Sequence, residues 1–377
     1  MLKNFFLICL STLISLAVLE VALRLFDPLG FQPHISRDLA NVPLVNDENY
    51  FCTGGPKRLI PHPVVYSRET PNQSYFEFRN DIATFVKINE HGFRGVFDPG
   101  VGKKRVIVLG DSFIRGSLSD ETETIPALLS EWSADTHFVN LGTGGHGTLQ
   151  HALTYDEFKD QIPHETVLLF IFNRNDLVDN IRFQRWQQNP KPISRDPTAT
   201  QRLKRAFAKL YVGKLVLSFK SALFDQNLYP SVPTEIEEAL LLQSLADLSQ
   251  SVTDQGAELI VFSLPDISEF LGKDTITFRD DPVGYSDAVR RLIARAAEQN
   301  GFAYLNLKPG LIEMSEDRDL PTAELYGTPD HHLREIGSFA VANLVAQFLQ
   351  DSNVAAFTPD AEFVDRMHVD PANVVCP

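Results

Sequence analysis

From residue 105 onward the chain alternates between short apolar runs and longer amphipathic stretches. Apolar runs lie at 105–109, 136–141, 166–172, 258–264 and 303–307. Between them, near 122–133, 148–160, 235–255 and 283–300, apolar residues recur at helical spacing, and a last such segment follows at 335–350. Strands separated by helices predict parallel βαβ units. Runs without polar alternation predict strands covered on both faces. The expected fold is therefore α/β: a doubly wound, three-layer parallel sheet of about five strands. Such sheets bind ligands at the C-terminal ends of their strands, where the strand order reverses.

The N-terminus has a different pattern. Phe5 to Phe26 is apolar on every face except at Glu20 and Arg24, which are four apart and able to pair. As a helix this run is about 30 Å long, the thickness of a bilayer core. No Ala-x-Ala cleavage site follows it, and Lys3 lies on its short N-terminal side. Residues 1–27 are therefore expected to form an uncleaved single-pass membrane anchor, with the remaining chain extracytoplasmic (periplasmic or at the cell surface). A cleaved signal peptide or a buried helix is the alternative.

Residues 28–100 read as an irregular lead-in, broken by Pro28, Pro33, Pro43, Pro56, Pro61, Pro63 and Pro71. Short strands are expected at 74–78 and 83–88. The main domain spans 101–351. Within it, residues 180–233 form a connection far longer than the others, helical over 201–224 and carrying Arg202, Lys204, Arg205, Lys209, Lys214 and Lys220. It reads as a lid or pocket wall, or as a solvated basic face. Residues 352–377 are a C-terminal tail.

Composition narrows the classes. With 377 residues and 44% hydrophobic residues the chain can build a large core. A net charge of −15 opposes nucleic-acid binding. The three cysteines, Cys9, Cys52 and Cys376, lack metal-ligand spacing, so no metal centre is expected. Pairing of Cys52 with Cys376 in an oxidising compartment stays open.

Four polar signals fall where the predicted sheet would bring them together. Gly110-Asp111-Ser112 follows the first apolar run, Gly145 the second and Asn175-Asp176 the third, and Asp330-His331-His332 precedes the last helix. A serine needs a base to become nucleophilic. His332 is the candidate base, and Asp330 could fix its tautomer. The N–H groups of Ser112 and Gly145 and the Asn175 amide are suitable oxyanion donors.

In order and spacing these blocks resemble those of the SGNH (GDSL-like) hydrolases over roughly residues 100–350, with S, G, N and H falling on Ser112, Gly145, Asn175 and His332. The resemblance implies a flavodoxin-like sheet and ester hydrolysis or acyl transfer without a cofactor or metal. The preceding Asn89-x-x-Gly92-Phe93-Arg94-Gly95 and the apolar N-terminus are similar to a membrane-anchored bacterial branch. A small acyl ester or an O-acylated envelope glycan is the implied substrate. The chain departs from the pattern at Asn173, where glycine is usual, at Phe113, where leucine is usual, and in the two-residue spacing of Asp330 and His332.

Two other functions remain in view. The cleft could bind a glycan or a protein partner without catalysis. Gly142-Thr143-Gly144-Gly145-His146-Gly147 also matches a dinucleotide fingerprint, but no acidic residue ends the next strand at the required distance. His146 reads as a surface or wall residue, and His331 as a solvated neighbour of the base.

Overall fold

The computed structural model describes residues 2–26, 50–51, 59–79, 82–98, 100, 102–190, 200, 203, 207, 210–213, 216, 232–270, 282–327 and 331–358. Cys52, Cys376 and Asp330 lie outside them. The chain divides into two compact units, Met1–Ala40 with Lys191–Leu228, and Asn41–Pro190 with Tyr229–Pro377.

In the first unit, α1 (Leu2–Phe26) is one helix. Every residue from Ile14 to Leu19 is exposed. Among the described residues, no helix is long and apolar enough to cross a membrane. The described side chains of α1 are Ser11, Ile14–Leu23, Leu25 and Phe26. Arg24 was the expected partner of Glu20, but its side chain is outside this set. The Glu20 carboxylate accepts from the backbone N–H of Tyr211 and Val212, at 2.8 and 3.0 Å. These amides belong to a helical turn (residues 211–213) of the long connection. Such N–H groups have no partner within their own helix, and a carboxylate satisfies them.

The second unit opens with small antiparallel sheets. Strands β1 (Tyr50–Phe51), β4 (Gln73–Arg79) and β5 (Ile82–Ile88) form one, in the order β1-β4-β5; β2 (Leu59–His62) and β3 (Tyr66–Glu69) form a hairpin. The sequence foretold β4 and β5 but not the hairpin, because Pro61 and Pro63 read as breakers. A two-stranded ribbon has only edge strands, where proline is tolerated.

The five apolar runs then form β6 (Lys104–Leu109), β7 (Thr136–Asn140), β8 (Thr166–Phe172), β9 (Glu258–Leu264) and β10 (Ala303–Asn306). All four pairings are parallel, in the order β10-β9-β8-β6-β7. Counted from β6 this is 2-1-3-4-5, the flavodoxin-like order, and its switch point lies between β6 and β8.

Nine helices are described in all. After α1 come α2 (Ser112–Arg115), α3 (Ile125–Trp132), α4 (Thr148–Phe158), α5 (Asp176–Gln188), α6 (Glu235–Asp254), α7 (Pro282–Asn300), α8 (Lys308–Asp317) and α9 (Glu335–Asp351). Val106 and Val108 face a core built with α3, α8 and α9; Ile107 and Leu109 face one built with α4, α5, α6 and α7. All seven residues of β8 are buried, as a strand covered on both faces requires. Each Phe or Leu buried there contributes about 1.5–3 kcal/mol. Local signals set the helix ends. The Thr234 hydroxyl accepts from the N–H of Glu237, whose carboxylate accepts from the N–H of Thr234, which starts α6. Helix α5 occupies the beginning of what the sequence showed as a long connection; its mixed polar face gave no clear 3.6-residue period.

Buried arginines dock the lead-in on the main sheet. Arg115, in α2, donates through Nε to Glu69 and through Nη2 to the Tyr75 hydroxyl at 2.8 Å, and pairs with Glu77 at 2.9 Å. Arg94 donates to the carbonyls of Gly116, of Ser119 at 3.0 Å and of Phe85 at 3.1 Å. Arg68 makes a bidentate pair with Glu157 of α4 at 2.9 and 2.8 Å.

Candidate active site

Ser112 follows the C-terminal end of β6, and Asn175 that of β8, so both stand at the switch point. Backbone pairing extends beyond the strands. The N–H of Thr143 donates to Gly110 O at 3.0 Å, which lays the loop after β7 beside the serine turn. Two glycines of that loop are required by close approach. A Cβ at Gly142 would strike the backbone of Arg115, and one at Gly147 the carbonyl of Asp176. The glycine-rich loop is thus packed against α2 and α5, not opened as a phosphate cradle. Gly145, at φ +73°, has open space at the Cβ position.

The histidine arrives from the other end of the domain. An isolated bridge between Tyr326 and Leu333 shapes its loop. The N–H of Gly327 donates to His332 O at 2.7 Å, and that of His331 to Gly327 O at 2.7 Å. His332 Nε2 lies 2.7 Å from Ser112 Oγ. The Phe113 ring packs on the imidazole at 5.1 Å between centroids, and on Phe172 at 4.1 Å. An aromatic at 113 therefore supports the histidine ring. His331 faces elsewhere: its Nδ1 meets Arg174 Nη1 at 2.8 Å, and Arg174 also pairs with Asp266 at 3.2 Å.

Beneath the serine lies a carboxylate cluster. Asp111 Oδ1 caps α2 by accepting from the N–H of Phe113 at 2.9 Å, and Oδ2 lies 3.4 Å from Ser112 Oγ. The Asn175 amide donates to Asp179 Oδ2 at 2.8 Å. Asn175 Oδ1 is buried without a hydrogen-bond partner. Asp176 Oδ2 accepts from the N–H of Phe172 at 3.1 Å. The sequence pointed to Ser112, Gly145, Asn175 and His332; Asp111 and Asp179 entered it only as a cap and a loop organiser. The contact of Asp179 with Asn175 has one signal in the sequence, since Asp179 lies one helical turn beyond it.

Burial pushes the Asp111 carboxyl up to about 6, against the opposing Phe113 N–H and the charge of His332. Burial, and then the charges of Asp111 and Asp179, hold Asp176 well above the carboxylate range. The pKa of Asp111 is thus higher in the folded chain than in the unfolded one. Its contribution to stability is greatest below about pH 4, falls as the pH rises towards 6, and is level above that. Asp111→Asn keeps an acceptor for Phe113 and removes this fall. At pH 7 it is expected to stabilise the fold by about 1–3 kcal/mol relative to its effect at pH 4. Urea unfolding at both pH values checks this, and an unchanged pH slope would remove the assignment.

Of the two readings of His146, surface or wall, its burial favours the wall: Nε2 lies 3.1 Å from Ser67 O. Burial, with His151 and Arg68 nearby, lowers it to about 3, so it is neutral and serves as a strut to the lead-in. Among the described residues no group of His, Cys, Asp or Glu is arranged to hold a metal.

No protein-family model and no curated protein matches the chain. Solved structures similar to it include a member of the lipolytic protein G-D-S-L family from Veillonella parvula DSM 2008, with 14% identity over 66% of this chain and 99% of that one and a TM-score of 0.40. A lipase/acylhydrolase from Enterococcus faecalis has 10% identity over 69% and 100%, with a TM-score of 0.40. The acetyl xylan esterase AlAXEase has 15% identity over 65% and 99%, also with a TM-score of 0.40.

Proposed function

We propose that this chain is a membrane-tethered serine esterase or acyltransferase. The observation that carries the reading is the 2.7 Å contact between Ser112 Oγ and His332 Nε2, made by residues 220 positions apart. In the proposed reaction Ser112 Oγ attacks the ester carbonyl while its proton passes to His332 Nε2. The resulting oxyanion takes hydrogen bonds from the N–H groups of Ser112 and Gly145 and from the Asn175 amide. Collapse breaks the bond to the alcohol, which leaves with the proton from Nε2. Water, or a sugar hydroxyl in the transfer reaction, then gives its proton to Nε2 and its oxygen to the acyl carbon; the acyl–Oγ bond breaks as Nε2 returns that proton to Ser112 Oγ. Asp330 is assigned to orient the imidazole.

In the resting site the Asn175 amide donates to Asp179. The reaction requires one N–H to reach the oxyanion, with Asp179 holding the other. Asn175→Ala is expected to lower kcat by about 10²–10³. Unchanged kcat on a short p-nitrophenyl ester would withdraw the role.

Tethering is supported by the apolar run Phe5–Phe26 and by exposure of Ile14–Leu19 on all faces of α1. In this reading the catalytic domain lies outside the cytoplasm, where O-acylated envelope glycans are accessible substrates. A fluorophosphonate probe followed by peptide mass mapping tests the whole reading. An adduct on Ser112 is expected; a chain that stays unlabelled while folded is a binding protein instead.

A further inference from the structure

We propose that Tyr66 and Trp186 form a subsite for the pyranose rings of a polysaccharide chain whose acyl group reaches Ser112. This deepens, and rests on, the esterase reading of the site.

The argument starts from a backbone outlier. Tyr66 has φ +74°, a region that bulky L-residues rarely occupy. The N–H of Ser67 donates to Val65 O at 3.0 Å, which closes a three-residue turn about Tyr66. A γ-turn of positive φ is rare and strained. Its surroundings over-determine it. His62 Nδ1 accepts from the N–H groups of Val64 and Val65 at 3.3 and 3.2 Å. Gln150 Nε2 donates to Val65 O at 2.9 Å, and His146 Nε2 meets Ser67 O at 3.1 Å. Strain held this firmly at a half-exposed aromatic points to a use for the ring.

That ring meets Trp186 at 5.4 Å and 69°, so the two form adjoining walls at a steep angle. Phe183, buried, stacks on Trp186 at 5.7 Å and 21° and backs it. A supported pair of partly exposed aromatic faces suits the C–H faces of a sugar ring, whose hydroxyls need polar groups at the rim. Arg182, exposed and one helical turn before Trp186, is such a group on the same face of α5, and an acyl lipid would call for a wider apolar surface without it.

The subsite is tied to the reaction centre by one rigid element. Helix α5 is N-capped by Asn175 and carries Trp186. Eleven residues at helical rise place Trp186 about 16 Å along the axis from Asn175. That distance spans a few sugar units, so a glycan held there can present an O-acyl group at Ser112.

The test uses the full-length chain in detergent, with p-nitrophenyl acetate as the short substrate and O-acetylated xylo-oligosaccharides of increasing length as the long ones. For the unsubstituted chain, KM is expected to fall with oligosaccharide length. Trp186→Ala and Tyr66→Gly should raise KM for the longest oligosaccharide about tenfold or more while leaving p-nitrophenyl acetate turnover unchanged. Tyr66→Phe should retain the length dependence. Glycine adopts φ +74° without strain, so Tyr66→Gly should bind glycan poorly without a lower Tm, which separates the binding role from a structural one. Length dependence that survives both substitutions overturns the proposal, as does a parallel loss of p-nitrophenyl acetate activity. If the unsubstituted chain cleaves nothing, the esterase reading fails by itself. The subsite then stands or falls on whether the oligosaccharides change the fluorescence difference between the unsubstituted chain and Trp186→Ala.

Discussion

Ser112→Ala is expected to reduce ester hydrolysis by about 10⁵–10⁶ in kcat and to abolish acyl-enzyme formation. Alanine removes the atom that would form the covalent bond, and no neighbouring group replaces it. Asp111 Oδ2 lies 3.4 Å from the serine oxygen, but its carboxylate is buried and engaged with the N–H of Phe113. His332→Ala should cost a similar factor, because the imidazole that lies 2.7 Å from Ser112 Oγ is then gone. The double variant should be no worse than either single one, since the two side chains act as a unit. Burst kinetics with a p-nitrophenyl ester measure all three. Residual activity within tenfold of the unsubstituted chain in Ser112→Ala, or simple multiplication of the two losses, would remove the nucleophile–base pairing. The substitution deletes one hydroxyl from a half-buried position, so the fold should survive, and unfolding curves provide that control.

Arg115→Ala should be the most destabilising single substitution outside the apolar core, at about 3–5 kcal/mol. Arg115 is 1% exposed, and its partners Glu69 and Glu77 are 3% and 0% exposed. Without the guanidinium, the buried carboxylates of Glu69 and Glu77 lose the cation that both pair with. Burial alone would lower the Arg115 pKa, but the charges of Glu69, Glu77 and Tyr75 outweigh it and hold the pKa well above the ordinary arginine value. Adding Glu69→Gln and Glu77→Gln to Arg115→Ala should recover part of the loss, since the remaining groups are then neutral. Denaturant midpoints of the single and triple variants decide the matter. A loss below about 1 kcal/mol would show that the cluster is hydrated and weak. Because Arg115 is three residues beyond Ser112, Arg115→Ala should also loosen the nucleophile turn and lower kcat more than KM. Arg94, bonded to Gly116 O and Ser119 O, supports the other side of that turn.

The fold was legible wherever a segment carried its own signal. The β8 strand was bounded correctly because Thr166–Phe172 is continuously apolar, and a strand covered on both faces has to be. Helix α6 was legible from its apolar spacing; that Thr234 caps it emerged from the structure. Helix α5 was not, because its polar residues mask its period; yet it holds Asn175, Asp179 and Trp186. The β2–β3 hairpin was hidden by Pro61 and Pro63, whose breaking tendency is overridden once both strands are edges and Gln150 and His146 hold the turn.

By itself the sequence determined the order of elements, the two-sided burial of the strands and the identity of the polar residues in the loops that follow them. Each of these depends on neighbours within a few positions, through backbone period and local capping. Only the tertiary structure decided that His332, and not His331, meets Ser112, that Asp111 lies against the serine oxygen, and that Arg115 joins the lead-in to the nucleophile turn. Those are contacts between residues whose separation in the chain says nothing about distance in space. They come into being when the strand order 2-1-3-4-5 places β6 and β8 side by side and brings their loops to one edge.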